Sequence, residues 1–189
     1  NAMMVPENWT GGAVGSGILM RGNSDGTPAN TLAASSDADG YSGTGNSTGV
    51  DPHQRRTITL SNGEVIWDFS GNAWEMLGDT NEAAVGSQPG LPTDTVNNFV
   101  YKQWTAPGIT TGSYAYAFPG YGNAAAVNWN SAQGMGQLIT SSVQPDSRIF
   151  IMGGAYTTGA QNTSVFTLRM NYLAEQASSS TSFRAVYAP

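Results

Sequence analysis

The sequence predicts a loop-rich α+β domain of short antiparallel strands with few helices. Three observations carry this. Glycine occurs 24 times in 189 residues and charged residues make up only 11%. That composition, with Lys102 as its sole lysine, is too poor in Lys, Glu and Leu for a helical bundle. Asn62-Gly63 stands between two alternating apolar runs, the mark of a hairpin. Two later stretches, 148–154 and 164–172, have the length and pattern of strands.

The elements follow in order. Asn1-Ala2-Met3 reads as an expression scar, which leaves 4–189 as a single domain, long enough to bury a core. Residues 9–20 are a glycine-rich entry to a short apolar run. Residues 21–56 read almost wholly as loop, and so long an irregular stretch is functional or pinned by its surroundings. Its Asp25, Asp37 and Asp39 resemble a calcium loop only loosely and lack EF-hand spacing. A type I′ turn at Asn62-Gly63 would pair Leu60 with Val65 and Ile58 with Trp67, and set Asp68 opposite Thr57. Ile58, Leu60, Val65 and Trp67 would then share one face.

Residues 78–94 read as loop, and the stretch from Asn97 to Trp104 as a short helix or strand. The Tyr- and Asn-rich run from Tyr114 to Trp129 has no sustained period. Arg148 to Gly154 reads as a buried strand ending in a glycine pair. In 165–171 the alternation sends Phe166, Leu168 and Met170 to the core and Thr167, Arg169 and Asn171 outward. Phe183, Ala185 and Tyr187 form a last alternating face.

Totals exclude several functions. A net charge of -6 with no basic patch argues against nucleic-acid binding. No apolar run approaches the ~20 residues of a membrane span. The absence of cysteine removes disulfides, thiolate metal sites and cysteine nucleophiles. A single histidine, His53, rules out a histidine-rich metal site, and its polar turn-like setting reads as a solvated loop.

The densest motif is VIWDFSGNAWEM, residues 65–76. Trp67-Asp68 and Gly71-Asn72-Ala73-Trp74-Glu75 match a W-D-x-x-G-N-x-W-E-W pattern, with Met76 in place of the last tryptophan. Gly153, Gly154 and Tyr156 follow an R-G-G-x-W pattern with Met152 at the arginine, and Phe183-Arg184 a G-F-R pattern with Ser182 at the glycine. In that order, over about 9–187, these motifs resemble the formylglycine-generating-enzyme-like branch of the C-type lectin fold. Within it the chain looks most like the variable proteins of diversity-generating retroelements, relatives of a phage major tropism determinant. The resemblance implies a C-type lectin-like domain with a variable-type region at about 153–184, carrying one extra residue near 161–163. It also implies display on a cell surface, pilus or virion.

The family's enzymes work through cysteine thiolates, and related sulfoxide synthases hold iron with several histidines. This chain has neither set, so the expectation is a protein with no catalytic residues. Asp68 and Glu75 have the residue types of an acid–base pair, but carboxylates beside tight turns more commonly serve the scaffold. The resemblance further implies a candidate calcium site at Ser70, Gly71, Ala73 and Glu75, whose carbonyls and carboxylate are hard ligands. Trp67 and Trp74 would be buried anchors.

Binding is then expected in the C-terminal region. The variable-type positions are Tyr156, Thr157, Thr158, Ala160, Gln161, Asn162, Thr167, Arg169, Asn171 and Tyr172. Their types suit the adenine-rich codons such elements diversify, although any exposed loop favours similar residues. Tyr156, Arg169 and Tyr172 would be the energetic anchors, with 114–129 as a rim. The expected target is a protein or glycan. A fixed lectin or adhesin, a structural fibre module and a degenerate enzyme are the alternatives on the same fold.

Overall fold

A computed structural model of the chain describes residues 3–26, 29–33, 53–81, 100–103, 130–140, 148–173 and 178–184. Strands dominate them: β1 (Thr57–Thr59), β2 (Val65–Trp67), β3 (Trp74–Asn81), β4 (Val100–Gln103), β5 (Gln137–Thr140), β6 (Arg148–Gly153), β7 (Ser164–Leu173) and β8 (Thr181–Phe183). The helical pieces among the described residues are short 3-10 turns at Pro6–Asn8, Ser131–Gln133 and Ala160–Asn162. The chain is therefore loop-rich and strand-dominated. Among the described residues no helix is long and apolar enough to cross a membrane.

β1 and β2 form a separate hairpin, and the other strands make one six-stranded sheet in the order β4-β5-β7-β6-β3-β8. The sheet is mixed. β3/β8 and β5/β7 are parallel, while β3/β6, β4/β5 and β6/β7 are antiparallel. The expectation of short antiparallel strands holds for three of these five pairings, and β3/β8 and β5/β7 depart from it, because parallel neighbours need long crossovers that local patterns do not reveal. Strands β6 and β7 form where the sequence places them. β3 runs on to Asn81, four residues into the expected loop, and β4 resolves the ambiguity at 100–103 in favour of a strand. β5 escaped the pattern search because Gln137, Leu138 and Ile139 are all buried, so nothing alternates.

The hairpin forms with a different register. Thr57 pairs with Trp67, Ile58 with Ile66 and Thr59 with Val65. The Leu60 amide donates to Glu64 O at 2.7 Å, and Gly63 N–H donates to Leu60 O at 2.9 Å. Gly63 has φ 87 while Asn62 stays out of the positive-φ region. This is a three-residue loop with glycine in the left-handed position, the second common hairpin solution. The slip exchanges partners across the pair. Ile58 is buried, but Val65 is exposed and Trp67 only half-buried, with the Arg56 guanidinium 5.5 Å over its ring.

Two apolar clusters line the sheet. One holds Met4, Trp9, Leu19, Ile58, Met135, Leu138, Val165, Phe166 and Met170. The other holds Trp74, Ile139, Ile151, Ala155 and Tyr172. Adjacent Leu138 and Ile139 enter different clusters, as the two-residue strand period requires.

Candidate functional site

Among the described residues, two regions combine aromatic and polar side chains around a cavity. The first contains the 65–76 motif. Its cavity of about 650 Å³ is bordered by Trp67, Asp68, Glu75, Phe183 and Arg184, among others. The Asp68 carboxylate accepts from Arg56 Nε at 2.8 Å and Nη2 at 2.5 Å, and from Asn72 Nδ2 at 3.2 Å. Glu75 accepts from Arg184 Nε at 3.0 and 3.2 Å and from Nη2 at 2.5 Å. Arg184 also donates to Trp67 O at 2.8 Å. The two carboxylates therefore hold two arginines within the fold.

The turn between them is a junction. Asn72 sits at φ 62 and clips Leu32 through both ends of its amide, at 2.6 and 3.1 Å. Gly71 has φ 75, and a Cβ there would lie 2.6 Å from Asn23 O. Only glycine lets the two backbones approach so closely.

The candidate calcium ligands do not fit an ion as arranged. Both Glu75 oxygens face the Arg184 guanidinium. Ser70 O accepts from Gly22 N–H at 3.0 Å and Gly71 O from Ala73 N–H at 2.8 Å. Ser70 Oγ is buried without a partner among the described residues, but one hydroxyl is not a hard-cation cage. No cluster of three or more His, Asp or Glu among the described residues is placed to hold a metal. Asp25 belongs to a different network, described below, and Asp37 and Asp39 lie outside the described residues.

The second region is built on β6, β7 and the loop between them. Gly153 ends β6 and Gly154 follows it, at φ 90 and 85, and a Cβ on Gly154 would press on Thr163 at 2.9–3.1 Å. The loop closes on itself: Thr158 N–H donates to Ala155 O at 2.8 Å, and Ala155 N–H to Thr158 Oγ1 at 3.0 Å. Thr163 Oγ1 donates to Thr158 O at 3.2 Å and to Gly159 O at 3.3 Å. Other segments grip its backbone. Tyr156 N–H donates to Asn72 O at 3.1 Å, Gly26 N–H to Tyr156 O at 2.7 Å, and Asp25 N–H to Thr158 O at 3.0 Å.

β7 supplies the cavity's floor through a bulge. From the pair Ile151/Arg169 to the pair Ile149/Tyr172, β7 advances three residues while β6 advances two. An extra residue shifts the alternation by one position. Arg169 and Tyr172 thus meet on one face, with the guanidinium 5.5 Å from the Tyr172 ring and 5.9 Å from that of Trp74. Burial pushes the Arg169 pKa below its ordinary value, and the neighbouring Tyr101 and Tyr172 oppose that shift. Tyr172 is 3% exposed, and its hydroxyl accepts from Thr181 Oγ1 at 3.1 Å.

The resulting cavity of about 390 Å³ is lined by Trp74, Tyr101, Ile139, Thr157, Thr158, Gly159, Asn162, Arg169, Tyr172, Ser178 and Ser180. Its volume lies within the usual range of ligand pockets. Asn162 Oδ1 is buried and meets no donor among the described residues. Five expected residues come together here: Thr157, Thr158, Asn162, Arg169 and Tyr172.

Tyr156, Ala160, Gln161 and Thr167 do not line it. Tyr156 is half-buried and tied down by its backbone, Ala160 and Gln161 lie on the 3-10 turn beside it, and Asn171 is at the bulge. Thr167 corrects an expectation. It is 1% exposed and packs against Gly136, because β7 is an interior strand covered on both faces. Tyr172 likewise supports Arg169 from below and does not project as an exposed anchor.

Sequence reasoning missed Trp74, Tyr101, Ile139, Gly159, Ser178 and Ser180. Trp74 was legible as an anchor but not as this cavity's wall. Tyr101, 48% exposed, lay in a stretch with no decided structure. The expected rim at 114–129 lies outside the described residues. No protein-family model matches the chain, and comparison with curated proteins and with solved structures gave no match.

Proposed function

We propose that the chain is a non-enzymatic ligand-binding domain on a C-type lectin-like scaffold, presenting a diversified C-terminal surface to protein or glycan targets at a cell or virion surface. The observation that carries this reading is the convergence of Thr157, Thr158, Asn162, Arg169 and Tyr172 on one cavity. They come from a loop and a strand, and the cavity backs onto a tightly packed sheet whose Ile151 is fully buried. Such a rigid base tolerates exchange of the side chains it displays. The non-enzymatic part is supported by Asp68 and Glu75, whose carboxylates are bound by arginines within the fold.

A fixed-specificity adhesin is the second reading. It is favoured by the interlocking of Arg169 with Trp74 and Tyr172, and of Tyr172 with Thr181, since residues so interdependent resist independent exchange. Deep sequencing of the gene's 3′ end across its native population separates the two. Substitutions concentrated at Thr157, Thr158, Asn162, Arg169 and Tyr172, with Trp74, Ile139 and Ile151 unchanged, support the diversified binder. A uniform sequence rejects diversification, and a glycan-binding screen then tests the adhesin.

A further inference from the structure

The loop that rims the cavity ends in the 3-10 turn Ala160–Asn162, whose N-cap residue, Gly159, offers no side-chain cap. The first amide of such a turn has no acceptor within the turn itself. Ala160 N–H finds one 135 residues away in sequence, donating to Asp25 Oδ1 at 2.6 Å. The other carboxylate oxygen is held on three sides: by Arg21 Nη2 at 3.1 Å, Ser24 Oγ at 3.2 Å and Gln54 Nε2 at 3.3 Å. Arg21, Ser24 and Gln54 are all buried. A carboxylate so anchored is a stiff, charge-assisted acceptor.

We propose that Asp25 is the positioning residue of the cavity's loop, acting as a remote cap that couples the buried Arg21–Gln54 cluster to the Ala160 amide. For its functional meaning this rests on reading the cavity as a binding surface; the geometry itself does not depend on it. The segment at Asp25 and Gly26 touches the loop through backbone atoms of the loop: Tyr156 O, Thr158 O and Ala160 N. Side chains at Thr157, Ala160 and Gln161 can therefore change while the loop keeps its course. The one substitution in the turn that removes the bond is proline at 160, because proline has no N–H. Proline otherwise suits that position. It is the first residue of a helical turn, and Gly159 before it is extended at φ -63 and ψ 155.

Amide hydrogen exchange on the full chain tests this. Asp25→Gly removes the carboxylate while tolerating the φ of 62 found there, so backbone strain does not confuse the result. Exchange at Ala160 is expected to rise about tenfold or more, from the loss of a hydrogen bond to a charged acceptor. Exchange at Ile151 and Leu138 in the sheet should stay unchanged. Asp25→Asn keeps one acceptor oxygen for Ala160 but sets an NH2 against the Arg21 and Gln54 donors, so exchange at Ala160 should rise above the parent, though by less than in Asp25→Gly. Asp25→Gly and Ala160→Pro should both speed exchange at Asn162 and Thr163, whose amides close the same turn.

An unchanged Ala160 amide in Asp25→Gly, or a rise shared equally by Ile151 and Leu138, overturns the proposal. Should Asp25→Gly fail to fold, the unsubstituted chain decides. Its Ala160 amide must be protected despite an exposed position, and fast exchange there overturns the assignment. Uniform population sequences would reject diversification and leave the cap standing, whereas a failed exchange test would remove the cap and leave the binding surface.

Discussion

The 65–76 motif and the 153–172 region look alike in one dimension, since both are short stretches dense in aromatic and polar residues. Folded, they are opposites. In the motif the charged side chains close on one another: Asp68 on Arg56 and Glu75 on Arg184. In the second region the backbone is tied down while Thr157, Thr158 and Asn162 border a cavity. Density of functional-looking residues is therefore a poor guide to function. Both regions border a cavity; what separates them is that the carboxylates facing the first are already paired with arginines, whereas Asn162 Oδ1 at the second meets no donor among the described residues.

Substitutions can break that contrast, and the largest effect belongs to the motif. Asp68→Ala removes a doubly hydrogen-bonded carboxylate from Arg56, 2% exposed, and should cost about 3 kcal/mol in urea unfolding. A loss under ~0.5 kcal/mol would mean that the pair is not structural. Gly71→Ala comes next. It places a methyl group against Asn23 O in a left-handed backbone and should cost about 2 kcal/mol, read as a lowered urea midpoint.

Thr167→Val is expected to go the other way. Thr167 Oγ1 is buried with no partner among the described residues, so removing the hydroxyl should stabilise the fold by about 1 kcal/mol. A destabilised Thr167→Val variant would return that hydroxyl to a bonding role. The smallest effect falls on the exposed loop. Gln161→Ala should shift stability by less than ~0.5 kcal/mol, as expected of a side chain on a loop held through its backbone. A larger loss would contradict the tolerance on which the binding reading depends.

The slipped hairpin shows where local reasoning stops. Asn62-Gly63 announced a turn, and a turn is there, but two hairpin solutions accept a glycine in the left-handed position. The one adopted differs by a residue, which exchanges the faces. The bulge between Arg169 and Tyr172 is the same lesson in reverse. Clean alternation in 165–171 predicted a strand correctly, yet the extra residue that unites Arg169 with Tyr172 leaves no local signature.

By itself the sequence determined what depends on near neighbours. That covers the strand-dominated, glycine-rich character, the strands at 148–153 and 164–173, the hairpin's existence and the core roles of Phe166 and Met170. It also identified five of the eleven residues that line the cavity. Tertiary structure alone decided the parallel pairings, the burial of Thr167 and Tyr172, the capture of Glu75 by Arg184 and the capping of Ala160 by Asp25. Each of these joins groups far apart in the chain or depends on which strand lies beside which. Such partners are chosen by packing over the whole sheet, and the periodicity of a ten-residue window carries no record of them.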